Sequence, residues 1–207
     1  DLCKRAACQE IIRRYIIAEC DYKKGKILEN SLERSKLLMK EVGLDVLDRK
    51  TVKPAREYVE KKRNCDKRYE NVVAMALEMP DSTIIIGRSS RRMVAASAVL
   101  LNAIKQLSGI ADDIHLISPQ VLETIQNLKT TVLLHDRASL NCEEILMALM
   151  ISAAINPSAE LAANKIAFLR GCTAHCTAIL SDRDEQTLRS LGIDVTCDPE
   201  YVTTNLY

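Results

Sequence analysis

A strand–helix–strand pattern near the end of the sequence constrains the fold more than any other feature. Residues 173–180 form an extended, mostly apolar run, Ser181 or Asp182 can cap a helix that follows, Gly192 can end that helix, and residues 193–196 form a second short strand. Two strands joined through one helix lie side by side in parallel, because the helix carries the chain back to the edge where the first strand began. The pattern therefore predicts an α/β fold.

A β-hairpin is predicted earlier in the chain. Residues 72–79 and 83–87 are rich in strand-forming side chains, and Pro80 and Asp81 between them favour a turn. The next predicted helix, at 91–107, is apolar on nearly all sides, so we expect it to be buried. Together these elements predict a mixed β-sheet covered by helices.

The remaining elements of this part are less sharply marked. Asn141 and Glu144 have the spacing of a capping box, which indicates the start of a helix. The predicted elements are a strand at 114–117, a short helix from Pro119, a loop over 129–140, and helices at 142–155 and 158–169.

The first third of the sequence contains only helix patterns. Helices are predicted at 2–20, 31–42 and 54–64. Gly43 stands where a glycine commonly ends a helix. We expect residues 1–66 to form a helical connecting segment and residues 67–207 to form an α/β domain.

The first helix carries an apolar stripe at helical spacing. The stripe consists of Cys8, Ile11, Ile12, Tyr15 and Ile16. We expect residues 2–20 to pack against another chain or to lie as a partner-seeking arm. The sequence starts inside this helix and without Met, which favours a piece cut from a longer protein.

Composition argues against several classes of function. No run of about 18 apolar residues is present, so no membrane span is predicted. Only 3% of residues are aromatic, which disfavours nucleic acid as a partner because single strands stack on aromatic rings. The 8 cysteines are scattered and no signal peptide precedes them. This indicates reduced thiols, no metal site and a cytoplasmic location.

The first candidate binding site is the turn after the predicted hairpin. Gly87, Arg88, Ser89 and Ser90 follow a strand and open a predicted helix, and Arg91 and Arg92 stand at its start, where two cations are unfavourable unless a negative group lies nearby. The free N–H groups and positive dipole end of a helix N-terminus attract anions, and glycine allows close backbone approach. We expect an anion site here if the helix begins near residue 90. The alternative is an ordinary turn with solvated arginines, and the spacing of a Walker loop is absent.

Three further groups have a structural interpretation beside the functional one. His115, between Asp112-Asp113 and Ser118, could join the site or be a satisfied core histidine. Cys172, His175 and Cys176 suggest metal, but neighbouring strand side chains diverge and zinc needs three or four ligands. Arg56 in Lys53-Pro54-Ala55-Arg56 is interpreted as a solvated arginine at a helix start.

The sequence resembles one bacterial family, designated domain of unknown function 1846. The similar stretches cover nearly the whole chain in order: residues 9–15, 48–49, 52–56, 101–105, 109–110, 112–119, 156–157, 171–172, 174–175, 179–181 and 191–192. Three features depart from the family pattern. Ser82 replaces the usual glycine of the hairpin turn, Cys176 replaces Ser or Thr, and Arg91 and Arg92 are not part of it.

The resemblance implies that the chain is about the C-terminal two-fifths of a longer protein. It also implies a preceding α/β unit with a glycine-rich, P-loop-like stretch. The family's function is unassigned, and no residue here supports the peptidase label that some members carry. The order hairpin–helix–strand is also similar to the start of a cytidine-deaminase-like domain. However, Ala95-Ala96-Ser97 stands where such deaminases need a metal ligand and a glutamate, so this likeness implies no activity.

Two hypotheses about function follow. In the first, the chain supplies part of an interdomain site for a small anionic metabolite or nucleotide, with Gly87, Arg88, Ser89, Ser90 and His115 as candidate contacts. In the second, it is a non-catalytic assembly domain that packs against the N-terminal part of its own protein and forms a homo-oligomer. The sequence leaves open whether the protein is an enzyme and which cofactor, if any, it uses.

Overall fold

The computed structural model describes residues 2–202, with the exception of the side chain of Leu2. The helices of this part are α1 (Leu2–Lys23), α2 (Glu29–Val42), α3 (Val52–Cys65), α4 (Ala95–Ser108), α5 (Pro119–Asn127), α6 (Cys142–Ala153), α7 (Pro157–Ala163) and α8 (Asp182–Ser190). The strands are β1 (Ala74–Glu78), β2 (Ile84–Arg88), β3 (Thr173–Cys176) and β4 (Asp194–Cys197).

The four described strands form one mixed sheet in the order β2-β1-β3-β4. β1 lies antiparallel to both β2 and β3, which confirms the hairpin, and β3 lies parallel to β4 across the helix α8. The α/β class and the parallel pair predicted from the sequence are thus confirmed. The cytidine-deaminase-like topology and the division at residue 66 remain predictions.

Helices cover both faces of the sheet. Met75 and Leu77 of β1 are fully buried in the main core, which also contains apolar residues of α4, α6, α7 and α8. Ala74, the residue before Met75 in the strand, faces the other way and packs with Val59 of α3. No helix of the described part is long and apolar enough to cross a membrane.

Gly87 has a packing role in this arrangement. Helix α4 crosses β2 so closely that a Cβ atom at Gly87 would lie 2.6 Å from the Cα atom of Val99. Only a residue without a side chain fits at this contact. The glycine therefore serves the helix–strand contact, and its surroundings leave no space for a ligand on that face.

The centre of the α1 stripe packs within its own chain, whereas Cys8, Ile11 and Tyr15 stay half-buried, so the expected contact with another chain remains a prediction. Ile12 and Ile16 are 0% and 1% exposed and form a small core with Met39 of α2 and Val52. The next turn brings Cys20 into the main core, where its thiol donates to the carbonyl of Cys197 at 3.0 Å. The long-range contacts with α2 and β4 are invisible in the periodicity of α1 itself.

The predicted loop at 129–140 begins with a π-helical turn, Leu128–Val132, and the helix predicted at 158–169 ends at Ala163. Two other predicted elements also differ in the structure. The helix predicted from residue 91 begins at Ala95, because residues 92–94 run extended and pair with Leu140. The strand predicted at 114–117 is wrong: the segment is a loop, and the carbonyl of Leu116 accepts from the side chain of Asn156 at 3.3 Å rather than from a neighbouring strand. Both departures depend on distant partners.

Candidate functional site

Two cavities meet at one edge of the sheet. This edge, called here the carboxyl edge, contains the carboxyl ends of β2, β3 and β4 and the beginning of β1. A cleft of about 610 Å³ lies on the side of α3, and a cavity of about 250 Å³ lies beside the start of α4. Both are lined by Val73, Ala178 and Val202, so they are neighbours on the same edge. Ligands of α/β proteins commonly bind at the carboxyl ends of parallel strands.

Two residues that line the cleft, Arg56 and Asp198, belong to a hydrogen-bonded network of four side chains. Asp198 follows directly after β4, and its carboxylate accepts from Arg56 of α3 through Nε at 3.1 Å and Nη2 at 2.6 Å. The same carboxylate lies 3.1 Å from Nε2 of His175, whose Nδ1 lies 2.9 Å from the hydroxyl of Thr196. Because a carboxylate can only accept, the neutral imidazole donates through Nε2, and its Nδ1 faces the Thr196 hydroxyl, which also lies 3.3 Å from the carbonyl oxygen of Ala174.

Burial and hydrogen bonding together set the charge states of His175 and Asp198 in this network. His175 is fully buried, and burial lowers its pKa below the ordinary 6.5, with the hydrogen bond to Asp198 offsetting only part of the effect. Burial raises the pKa of Asp198, but the hydrogen bonds from His175 and Arg56 outweigh it and hold the pKa below its ordinary value. At neutral pH an ionised Asp198 and a cationic Arg56 therefore line the cleft, with a neutral His175 buried behind Asp198.

The smaller cavity opens onto the start of α4. Val94 and Ala95 line it, and no side chain caps this helix end, so the first N–H groups of a 14-residue helix are left for another acceptor. Arg137 also lines the cavity, and its side chain makes no ion pair with any residue that the structure describes. A positive helix end and a cation thus border one cavity.

An acid in the same cavity is already engaged. Asp184 is 5% exposed; one carboxylate oxygen accepts from the backbone N–H of Cys142 at 2.8 Å, and the other accepts from the hydroxyl of Ser181 at 2.7 Å. Asp184 thereby serves the N-terminal ends of α6 and α8, which also have side-chain caps from Asn141 and Ser181. Of the three helix starts around this cavity, α4 is the one without a cap.

The structure brings two of the five predicted contact residues to this cavity. Ser89 and Ser90 line it, although both hydroxyls also accept from the backbone, Ser89 from Val73 and Ser90 from Arg92 and Met93. The bonds to Ser90 stabilise a turn that delays the helix to Ala95.

The other predicted contacts lie elsewhere. Gly87 packs against α4, as described above. The guanidinium of Arg88 lies 5.3 Å from the ring centre of Tyr69, outside the residues that line either cavity. The exposed His115 borders a separate cavity of about 180 Å³ between α4 and α5. The predicted convergence of these groups with Ser89 and Ser90 at one helix start is therefore absent.

Sequence reasoning missed the residues that build the cleft. Arg56 was interpreted as a solvated arginine, and His175 was considered only as a metal ligand. The partners of Asp198 are 142 and 23 residues away, so only the strand order shows that they meet. The sequence offers one hint of this contact: His175 lies in β3 and Asp198 directly follows β4, and these two strands were predicted to pair. Cys172 and Cys176 are free, buried thiols.

The fold and these cavities define an α/β domain with a mixed four-stranded sheet and an open carboxyl edge. The model of one family, domain of unknown function DUF1846, C-terminal, matches residues 47–207. UPF0371 proteins of Clostridium botulinum strains Kyoto and Alaska E43 are 50% and 52% identical over all 207 residues. A UPF0371 protein of Clostridioides difficile is 48% identical over the same length. The chain belongs to the DUF1846 family, and it spans 41% of the length of these relatives.

Proposed function

We propose that this chain forms one wall of a binding site for a small anionic metabolite or nucleotide at its carboxyl edge. The other wall is the N-terminal part of the full-length protein, to which the family resemblance assigns a P-loop-like stretch. The single observation that supports this proposal most is the uncapped start of α4 in a cavity that Arg137 also lines. Of the residues predicted from the sequence, Ser89 and Ser90 belong to this site.

Charge and size support an extended anionic ligand. A phosphate or carboxylate fits beside the N–H groups of α4 and Arg137, where it completes the missing cap. The remainder of the ligand extends past Val73 and Ala178 into the larger cleft. There the ionised Asp198, held by Arg56 and His175, offers an acceptor to a hydroxyl or amine. The two cavities together have the size of a typical small-molecule site.

This chain alone should bind such a ligand weakly. An anion at a helix start contributes about 0.3–1 kcal/mol when exposed and up to about 2 kcal/mol when partly buried. Binding should therefore weaken with added salt, and the full-length protein should bind more tightly because a second wall excludes water.

The test is calorimetric titration of the full-length protein with phosphate, ADP and ATP. Arg137→Gln should weaken binding about fivefold, the equivalent of about 1 kcal/mol. Arg91→Gln is the matched control, since Arg91 is an exposed arginine nearby that lines neither cavity. Equal affinities for the wild type and both variants would contradict the proposed binding site. An absence of binding by the wild type would contradict it as well.

One observation favours the alternative of a non-catalytic assembly domain. Helix α6 exposes large apolar side chains, among them Met150 and Ile151 at 57% and 66%. Under this alternative the protein is a homo-oligomer, which light scattering of the full-length protein would reveal. The cytoplasmic location expected from the cysteines remains a prediction.

A further inference from the structure

Helix α6 is apolar on both of its sides. Its inner side packs into the main core, where Ile145 and Leu149 are fully buried. Its outer side places Met147, Met150 and Ile151 at 53%, 57% and 66% exposure. Residues three and four positions apart lie on one helix face, so these three form a single surface. A helix that is hydrophobic all round is normally buried all round.

The surface continues beyond the helix, and its charges lie at the rim, where Glu143 precedes Met147 by one turn and Glu160 adjoins Leu161. Residues 145–155 contain no Asp, Glu, Lys or Arg, although 28% of the whole sequence is charged. Ile155, just after α6, is 89% exposed, and Leu161 of the neighbouring α7 is 48% exposed. We call Met147, Met150, Ile151, Ile155 and Leu161 the α6–α7 face. A large exposed apolar face with charges only at its rim is typical of a protein interface rather than of a solvated surface.

The segment before α6 adds to this apolar character. The ammonium of Lys129 bonds to the carboxylate of Glu144 at 2.7 Å and so ties this segment to the first turn of α6. Close to this tie, Val132 and Leu134 are 67% and 77% exposed. Apolar side chains on the segment before α6, on α6 itself and on α7 are thus exposed in the described part of the chain.

We infer that the α6–α7 face is the docking surface for the N-terminal part of the full-length protein. The matching family model is a C-terminal domain, and the chain spans only 41% of its relatives, so most of each relative lies outside it. Because the N-terminal part is covalently linked to this chain, one copy of it is always available for each α6–α7 face, as a permanent interface requires. The first turn of α6 donates to Asp184, which lines the smaller cavity, so a part docked along α6 lies near that cavity.

Two methionines make the inference testable in the full-length protein. Hydrogen peroxide oxidises accessible methionine to the sulfoxide, and peptide mass spectrometry locates each product. Met147 and Met150 should resist oxidation as well as the fully buried Met75, at every protein concentration. Rapid oxidation of both methionines in the folded protein would overturn the inference. Protection that disappears on dilution would also overturn it, because a second copy would then be the cover.

A substitution separates docking from chance protection. Ile151→Lys in the full-length protein should speed oxidation of Met147 and Met150 about tenfold, because an unpaired ammonium at the interface disfavours docking by at least the ~1.4 kcal/mol that this factor represents. Met75 should stay protected, which shows that the core remains folded. Leu38→Lys, on an exposed apolar residue of α2, is the matched control and should change neither rate. An unchanged rate in the Ile151 variant contradicts docking, whatever ligand the protein binds.

Discussion

Two arginine–aspartate pairs stand at opposite ends of β4 and serve different purposes. Arg49 reaches Asp194 at the amino end of the strand, with Nη1 3.1 Å from the carboxylate. Arg56 reaches Asp198 just past the carboxyl end, at 2.6 Å. The first arginine is 2% exposed and also donates to two backbone carbonyls, of Asp194 and Ala174. The second is 45% exposed and borders the cleft.

The difference lies in what surrounds each pair. At the amino end the guanidinium is enclosed by β3 and β4 and bonds to their backbone, so it acts as a structural clasp. At the carboxyl end the same pair of charges remains beside an open cleft and is linked to a buried histidine. Both pairs join an arginine to an aspartate, and they differ in which end of β4 they occupy. We therefore expect the amino-end pair to contribute mainly to stability and the carboxyl-end pair mainly to the site.

The largest effect is expected from Arg49→Met. The change removes the donor to Asp194 and to two strand carbonyls, and should lower the free energy of unfolding by about 3 kcal/mol. Urea denaturation measures it. Lys50→Gln is the control at the same end of the sheet, because Lys50 pairs with Glu78 but is 65% exposed; it should cost less than about 0.5 kcal/mol. Equal losses for the two variants would contradict a structural clasp at Arg49.

The buried histidine should make stability depend on pH. In the unfolded chain His175 gains a proton below its ordinary pKa of 6.5, whereas the native imidazole stays neutral because burial lowers its pKa. Falling pH therefore favours the unfolded state, by up to about 1.4 kcal/mol for each pH unit below 6.5 until the native pKa is reached. At still lower pH, protonation of Asp198 removes a further contribution, since its native pKa is lowered too.

Urea titrations between neutral and mildly acidic pH would measure this dependence. His175→Gln keeps a donor for Asp198 but cannot titrate, so its stability should fall less steeply with acid than that of the wild type. His115→Asn removes an exposed imidazole and is the matched control. If the free energy of unfolding of the His175 variant fell with pH as steeply as that of the wild type, another group would control the acid sensitivity.

The smallest effect is expected from Arg56→Met at the carboxyl end. Its side chain is 45% exposed, so water screens the pair, and His175 still donates to Asp198 after the change. We expect a loss of about 1 kcal/mol in the free energy of unfolding. A loss as large as that of Arg49→Met would mean that both pairs are structural clasps, and the contrast between the two ends would fail.

Local signals in the sequence predicted much of the fold. Asn141 with Glu144 forms the predicted capping box, Gly43 ends its helix with a positive φ, and a helix starts at Pro119 as predicted. Each of these features depends on residues a few positions apart. The same reasoning failed where a distant partner decides the structure, as for the extended residues 92–94 that pair with Leu140.

The candidate site shows the same division. Ser89 and Ser90 are candidates because they follow a strand, which is a local signal, and both line the smaller cavity, although their contact with an anion stays a prediction. Arg137 lies in a predicted loop with no pattern of its own, and it reaches the cavity only through the fold. Arg56 and Asp198 become neighbours because α3 packs beside the carboxyl end of β4, a contact that no periodicity in either segment indicates.

The most direct test of the contrast between the two ends is an NMR titration of this chain with phosphate and ADP. The backbone amide signals of Ala95, Ala96 and Ser97 should shift with added ligand, and less so at high salt. Those of Ala174 and Asp194, at the amino end of the parallel pair, should stay unchanged. Shifts centred on the amino end, or none at the start of α4, would contradict the assignment of the carboxyl edge as the binding site.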